Sequence, residues 1–401
     1  MTRNFGLGLS VAMGLTLAAC GGSAAPSASP NASAQAIPTA AKPSPAEAVA
    51  TAAGIGASAV ASVKPAASGS PAPASSAAAS VSAASKPLSS GAINLKIGAT
   101  WTSFTQMPFL YALERGYLAK QNIGIEQVTI PLSEQTIAPL TQNQIQIGAT
   151  GFGVGLYNAV ARDISLVMVA DDGSATGTSS AAIVVRKALA DQVKDYKDLK
   201  GKKFALSSKG TSIHVTLAKA LQRGGLTFND VDVVTIGFSD MVPALANGAV
   251  DAALLTEPAI AQGVANGVLT VFKWTDEVYL NQQFNAIIYS PQFAKTDAAR
   301  GFMVAYLQGV RDYNDVIRGK ANMDEFARIG AKYLPVKDPS LYKSVRHIGI
   351  NPDGKLQLGP MQQDIDFYVT EGLIKDKPDL SKLVDNSFVD AAVKELGPYK
   401  G

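Results

Sequence analysis

Asp198-Leu199-Lys200-Gly201-Lys202-Lys203 leads into Phe204-Ala205-Leu206, and Ser207-Ser208-Lys209-Gly210-Thr211-Ser212-Ile213-His214 follows. A charged turn, a short apolar run, a break at small polar residues and Gly210, then apolar positions at helical spacing (Val215, Leu217, Ala218, Leu221) read as strand, loop and helix. The first N–H groups of such a helix lack intrahelical partners. Together with the helix dipole they attract anionic or strongly polar groups. A solvated loop in which Ser or Thr only caps the helix carries the same signature. The stretch is therefore one wall of a ligand cleft only if the rest of the chain supplies the other.

Working outward, the same alternation continues in both directions. Apolar strand patterns fall at 93–98, 124–130, 145–149 and 164–170, separated by helical patterns from Pro108, over about 134–142 and from 154 to 162. On the other side come strands at 182–186, 231–236, 251–255, 268–272 and 285–289, with helices at 212–223, 240–247, from Pro258, and 296–318. From there to Tyr399 the pattern is mainly helical. Strands alternating with helices at this spacing mean α/β architecture with mostly parallel sheets and flanking helices. Residues 93–401 are long enough for two lobes, each with its own core.

The first 92 residues are of another kind. Arg3 precedes a short apolar run ending Leu17-Ala18-Ala19-Cys20, too short for a membrane span, which reads as an export signal over 1–20. Residues 21–92 are Ala, Ser, Pro and Gly with almost no charge, a composition that cannot bury a core; they are expected to be a disordered tether, spanning about 45–50 Å as a flexible coil. The chain's formal charge of +3 resides in this part, because residues 93–401 hold 31 basic and 31 acidic residues. Such a balance implies no nucleic-acid surface. Cys20 is the only cysteine, which excludes internal disulfides and a multi-cysteine zinc site.

Several stretches resemble one family. Leu95-Lys96-Ile97-Gly98, Glu114-Arg115-Gly116-Tyr117-Leu118, Asp198-Leu199-Lys200-Gly201-Lys202, Gly248-Ala249-Val250-Asp251-Ala252-Ala253, Glu257-Pro258 and Val384-Asp385-Asn386-Ser387-Phe388 recur in the expected order. Over 93–398 the chain resembles the substrate-binding proteins of ABC importers of the nitrate, sulfonate and taurine class, relatives of the binders of thiamine pyrimidine precursors. Leu17 to Gly21 likewise resembles a bacterial lipobox, implying cleavage before Cys20 and a lipid on its thiol.

The resemblance implies a two-lobed type II periplasmic-binding fold, with lobe one at 93–182 plus 290–401, lobe two at 185–286, and a hinge at the strands near 182–186 and 285–289. It implies a small-molecule solute, an ABC permease with its ATPase as partner, a monomer without cofactor, and a location in the periplasm or on the outer face of the membrane. A sensory module or a pyrimidine-processing enzyme on the same fold is the alternative, although the cysteine-rich motif of the eukaryotic pyrimidine synthases has no residues here. One departure is local: the family's Gly-Gln-(Ile/Val)-Asp-(Ile/Phe)-Gly reads Asn143-Gln144-Ile145-Gln146-Ile147-Gly148, which puts a turn contact in doubt.

In open α/β sheets ligands sit beyond the carboxyl ends of strands. The strand-end loops nominate Thr100, Trp101 and Phe104, then Thr150, Gly151 and Phe152, then Ser207, Gly210, Thr211 and Ser212 for an oxyanion, and Glu257, which would bind an amine or cap its helix. Small residues let the backbone approach a ligand, and aromatics supply walls. His214 lies within a helix, His347 among surface charges, and Asp171-Asp172 lacks further ligands for a metal.

Overall fold

The computed structural model describes residues 80–81 and 91–401 except residue 344, all within one compact unit. The export signal, Cys20 and nearly all of the expected tether lie outside the described residues.

Among the described residues eleven strands form two sheets. The first has the order β1-β3-β2-β4-β11-β5, from Ser80–Val81 (β1), Ile93–Ala99 (β2), Ile123–Thr129 (β3), Ile147–Gly151 (β4), Val167–Ser174 (β5) and Gln283–Tyr289 (β11). The second has the order β10-β6-β9-β7-β8, from Ala181–Arg186 (β6), Lys203–Leu206 (β7), Asp232–Thr235 (β8), Ala252–Thr256 (β9) and Leu269–Trp274 (β10). In each sheet four strands run one way, giving the mostly parallel sheets expected of βαβ units. The reversed interior strands are β6 and β11, the strands that open each sheet after a crossover. Gln283–Tyr289 pairs along its length in the first sheet, so the second crossover lies before residue 283 and not at the strand itself. Ser80–Val81, placed by composition in the tether, pairs antiparallel with β3. The edge of an open sheet offers unpaired backbone groups to such a segment.

Both faces of each sheet are covered, which is why the strands read as continuous apolar runs. Side chains alternate across β11, with Ile287 and Tyr289 in one core and Ala286 and Ile288 in the other. In β9, Ala252 and Leu254 enter one core and Ala253 and Leu255 the opposite one. The long helix Asp297–Ile317 lies against Met107–Glu114, and Gly309 permits the contact, since a Cβ there would stand 2.1 Å from the Pro108 carbonyl oxygen. The family departure at 143–148 is repaired locally. Gln146 Oε1 accepts from the Lys96 N–H at 2.9 Å, and Asn143 occupies the left-handed region (φ 54°) that Asn tolerates.

The two crossovers are braced by a third passage of chain over 346–357. Thr178 donates to the His347 carbonyl at 3.1 Å, and Ser174 pairs with Gly349. Arg346 reaches Asp276 at 2.8 Å while its guanidinium lies 4.6 Å from the Trp274 ring centroid. Within the first crossover strand, Asp171 accepts from the Gly173 and Asn351 N–H groups and from Gln283 Nε2, and burial pushes its carboxyl up to about 6. Asp171-Asp172 is thus a structural clasp, and among the described residues no cluster of three metal-ligating side chains occurs.

Candidate functional site

Because β6 and β11 run backwards, their first residues reach the edge where the parallel strands end. Thr100 after β2, Thr150 and Gly151 of β4 and Thr256 of β9 there meet Ser180 before β6 and Phe284 and Asn285 of β11. Between the sheets they enclose a chamber of about 50 Å³. Ser133, Thr150, Ser180, Thr256 and Asn285 have no side-chain hydrogen-bond partner among the described residues. Ser180 is the sharpest case, 1% exposed with an unpaired hydroxyl; an orphaned buried hydroxyl needs an explanation. No charged side chain lines the chamber. The helices Ser212–Arg223 and Phe238–Ala246 begin at its wall, with Ile213 and Phe238 in the lining. Helix starts carry partial positive charge. The site therefore offers hydroxyl and amide donors and helix dipoles, and no fixed carboxylate to repel an anion.

A wider groove of about 310 Å³ opens alongside, sharing Thr100 and Phe238 with the chamber. Trp101 stands on its wall at φ 53°, an uncommon region for a bulky side chain. Its indole N–H donates to the Val128 carbonyl at 3.2 Å, and its ring meets Phe109 edge-on.

Of the nominated residues, Thr100, Trp101, Thr150 and Gly151 face these spaces. Phe104 does not: it is fully buried in lobe one, stacked on His347 and edge-on to Phe326. That places His347 in an aromatic cluster and not at the surface, and burial holds its imidazole down at about 4. Phe152 packs edge-on to Tyr157 in the other core of the same lobe. The Phe104 and Phe152 assignments are thus corrected, because both rings find apolar neighbours on their own side.

The stretch Ser207–Ser212 meets lobe one, by backbone and hydroxyl groups, instead of facing the chamber. Gly210, at φ 71°, turns its carbonyl to accept from the Val154 N–H at 2.8 Å, and Thr211 pairs with Gly153. Ser212 donates to the Phe284 carbonyl at 3.1 Å, Ser208 bonds Glu134 of lobe one, and Ser207 is buried. His214 Nδ1 accepts from the Gly210 N–H at 3.2 Å, which fixes a neutral ring that burial holds at about 4. Glu257 accepts from the Ala261 N–H at 2.8 Å, capping its helix, and burial raises its carboxyl to about 7. Ser207, Gly210, Thr211, Ser212 and Glu257 are therefore bracing residues beside the site. Ser133, Ser180 and Asn285 were missed, and Thr256 was read only as a strand end; Asn285 alone carries a local signal, a polar residue interrupting the apolar run Gln283-Phe284-Asn285-Ala286-Ile287.

Comparisons with known proteins bear on the family and the fold. The sequence model of the family described as NMT1/THI5 like matches residues 103–315. A curated relative from Escherichia coli (strain K12), named as an aliphatic sulfonates-binding protein, is 25% identical over 263 residues, covering 65% of this chain and 79% of the relative. The periplasmic nitrate-binding protein NrtA from Synechocystis PCC 6803 superposes with a TM-score of 0.62 at 14% identity, covering 77% of this chain and 90% of that one. The desulfurization enzyme DSZB superposes with a TM-score of 0.53 at 14% identity, covering 76% and 99%. These two likenesses show the fold, two α/β lobes around a cleft.

Proposed function

We propose that this chain, which belongs to the NMT1/THI5-like family, is the extracytoplasmic solute-binding component of an ABC importer. It captures a small organic anion between its lobes and hands it, as a monomer, to a permease with its ATPase. The carrying observation is the chamber, where five unpartnered hydroxyl and amide side chains and two helix starts converge with no charged side chain. An oxyanion held this way accepts hydrogen bonds from every direction and gains from the helix dipoles. A sulfonate head suits the lining, in keeping with the name of the Escherichia coli relative. The solute's apolar body then extends into the groove past Trp101 and Phe238.

Hydroxyls and an amide hold a ligand without supplying a nucleophile and base in hydrogen-bond contact, which supports a receptor and not the catalysis of DSZB. Calorimetry of the purified protein against sulfonates, nitrate, bicarbonate, amines and pyrimidines tests the reading. One-site binding of a sulfonate, with the ligand recovered unchanged, is the expected result; heat from amines or pyrimidines alone would sink it. Ser180→Ala and Asn285→Leu are each expected to weaken that binding about ten- to a hundred-fold, the loss of one hydrogen bond to a charged acceptor.

The lipid on Cys20 belongs to the same proposal. It places the folded part on a tether outside the cytoplasmic membrane, in the periplasm or at the outer face. Expressed in a bacterial host with residues 1–20 in place, the chain is expected to partition into the detergent-rich phase, and recovery in the aqueous phase alone would refute the anchor.

A further inference from the structure

We propose that the groove beside the chamber receives a second anionic group, a carboxylate or a further sulfonate, at the far end of the solute. The Lys337 ammonium and the Thr129 and Ser239 hydroxyls hold it. The proposal rests on the chamber holding the solute's head group, and it narrows the solute to an organic anion charged at both ends. Three separate elements bring these donors to one groove. Thr129 ends β3, Ser239 lies in the first turn of the helix Phe238–Ala246, and Lys337 follows the helix Met323–Tyr333. Neither hydroxyl has a side-chain partner among the described residues. No carboxylate lines the groove.

The cations around the helix Met323–Tyr333 set Lys337 apart. Arg328 and Lys332 share Glu114 at 3.2 and 2.5 Å, Arg115 reaches Asp312 and Glu325 at 3.0 and 2.7 Å, and Lys343 reaches Asp324 at 2.6 Å. Lys337 has no carboxylate partner among the described residues. Its ammonium donates instead to the Leu334 carbonyl at 2.8 Å and the Lys332 carbonyl at 3.4 Å. Those bonds fix the charge at the groove wall and leave one of its three N–H groups for a ligand. A group already held in place has less freedom to lose on binding. Thr100 and Phe238 belong to both spaces and mark the passage between them, and Trp101, Pro131 and Leu334 make the rest of the wall apolar. The body of the solute is therefore apolar while both ends are not. A methyl-ended tail leaves the ammonium and the two hydroxyls to water, whereas a carboxylate brings acceptor sites for them. Lys337 is exposed, so the gain is modest and salt-sensitive.

The test uses matched pairs: butane-, pentane- and hexane-1-sulfonate against 4-sulfobutanoate, 5-sulfopentanoate and 6-sulfohexanoate, titrated into the full chain. At the length that spans chamber and groove, the sulfocarboxylate is expected to bind about five-fold more tightly than its methyl-ended partner at about 10 mM salt, and about two-fold at about 500 mM. Lys337→Met is expected to bring that ratio to about one, and Lys337→Glu to reverse it. Methyl-ended sulfonates that bind as tightly as their sulfocarboxylates, or more tightly, at every length overturn the subsite while leaving the head-group reading intact. A preference for the sulfocarboxylate that survives both substitutions does the same. Failure of all six sulfonates to bind overturns the head-group reading, and the subsite with it.

Discussion

Gly153→Ala is expected to weaken solute binding at least ten-fold while lowering the melting temperature only slightly. A Cβ at Gly153 would lie 1.9 Å from the Gly210 carbonyl oxygen and 2.9 Å from both the Gly210 carbonyl carbon and the Thr211 Cα. All three are main-chain atoms of the opposite lobe, so no side chain can turn aside. Relief requires the two loops to part, which breaks the Val154 N–H bond to Gly210 and the Gly153–Thr211 pairing. The cores under each sheet are largely kept through this, and only the one that Val215 and Tyr279 share with Phe152 and Ile365 spans the two lobes. The chamber, walled from both sides, opens. Binding by calorimetry and the radius of gyration by small-angle scattering check it together: weaker binding with a larger radius is expected, and unchanged affinity would refute it. Gly309→Ala makes the control, because its equally close clash with Pro108 is inside one lobe. There overpacking is expected to cost stability, about 1–3 kcal/mol or more, and not to widen the cleft.

The contrast shows what the sequence carried and what it did not. The helix Ser212–Arg223 stands where the spacing of Val215, Leu217 and Leu221 put it, because amphipathic period and the Gly224-Gly225 stop are local signals. The fate of the loop before it is not local. Whether Gly210 offers its carbonyl to solvent, to a ligand or to Val154 depends on a loop some fifty residues away in sequence, brought opposite by two crossovers. Strand direction is hidden for a similar reason. Apolar alternation in β6 and β11 reads alike in either sense, so nothing in the sequence places Ser180 and Asn285 at the edge where the parallel strands end. Aromatic residues divide in the same way. Trp101 faces the groove and Phe104 the core, three residues apart in one loop, on the strength of a backbone turn at Trp101 that composition does not encode.

The second large effect concerns pH. Asp364, on the helix Leu358–Thr370, is 2% exposed and accepts from Gln282 Nε2 at 3.0 Å. Gln282 Nε2 also donates to the Ser212 carbonyl at 2.8 Å, and its Oε1 bonds the Thr216 hydroxyl, so the carboxyl is linked through the second crossover to the helix that opens at the chamber. Among the described residues its other oxygen has no partner, and neither do the hydroxyls of Tyr157 and Tyr368 beside it. Burial pushes the Asp364 carboxyl up to about 7, although Gln282, Tyr279 and the Lys219 ammonium pull the other way. The native state thus keeps a proton that the unfolded chain releases near pH 4. Stability from this group is complete below pH 4, falls as pH rises, and levels off above about 7, where the native carboxyl also ionises. Asp171 and Glu257, raised to about 6 and about 7, slope the same way; His214 and His347, held at about 4, lose stability as pH falls below 6.5. Asp364→Asn isolates one member of this set, keeping the acceptor for Gln282 and removing the charge. Its melting temperature is expected to match or fall just below wild type at pH 5 and to exceed it by several degrees at pH 8, corresponding to roughly 2–4 kcal/mol. The same difference at both pH values would mean that Asp364 is already ionised in the folded protein, and would reassign the slope to Glu257 and Asp171.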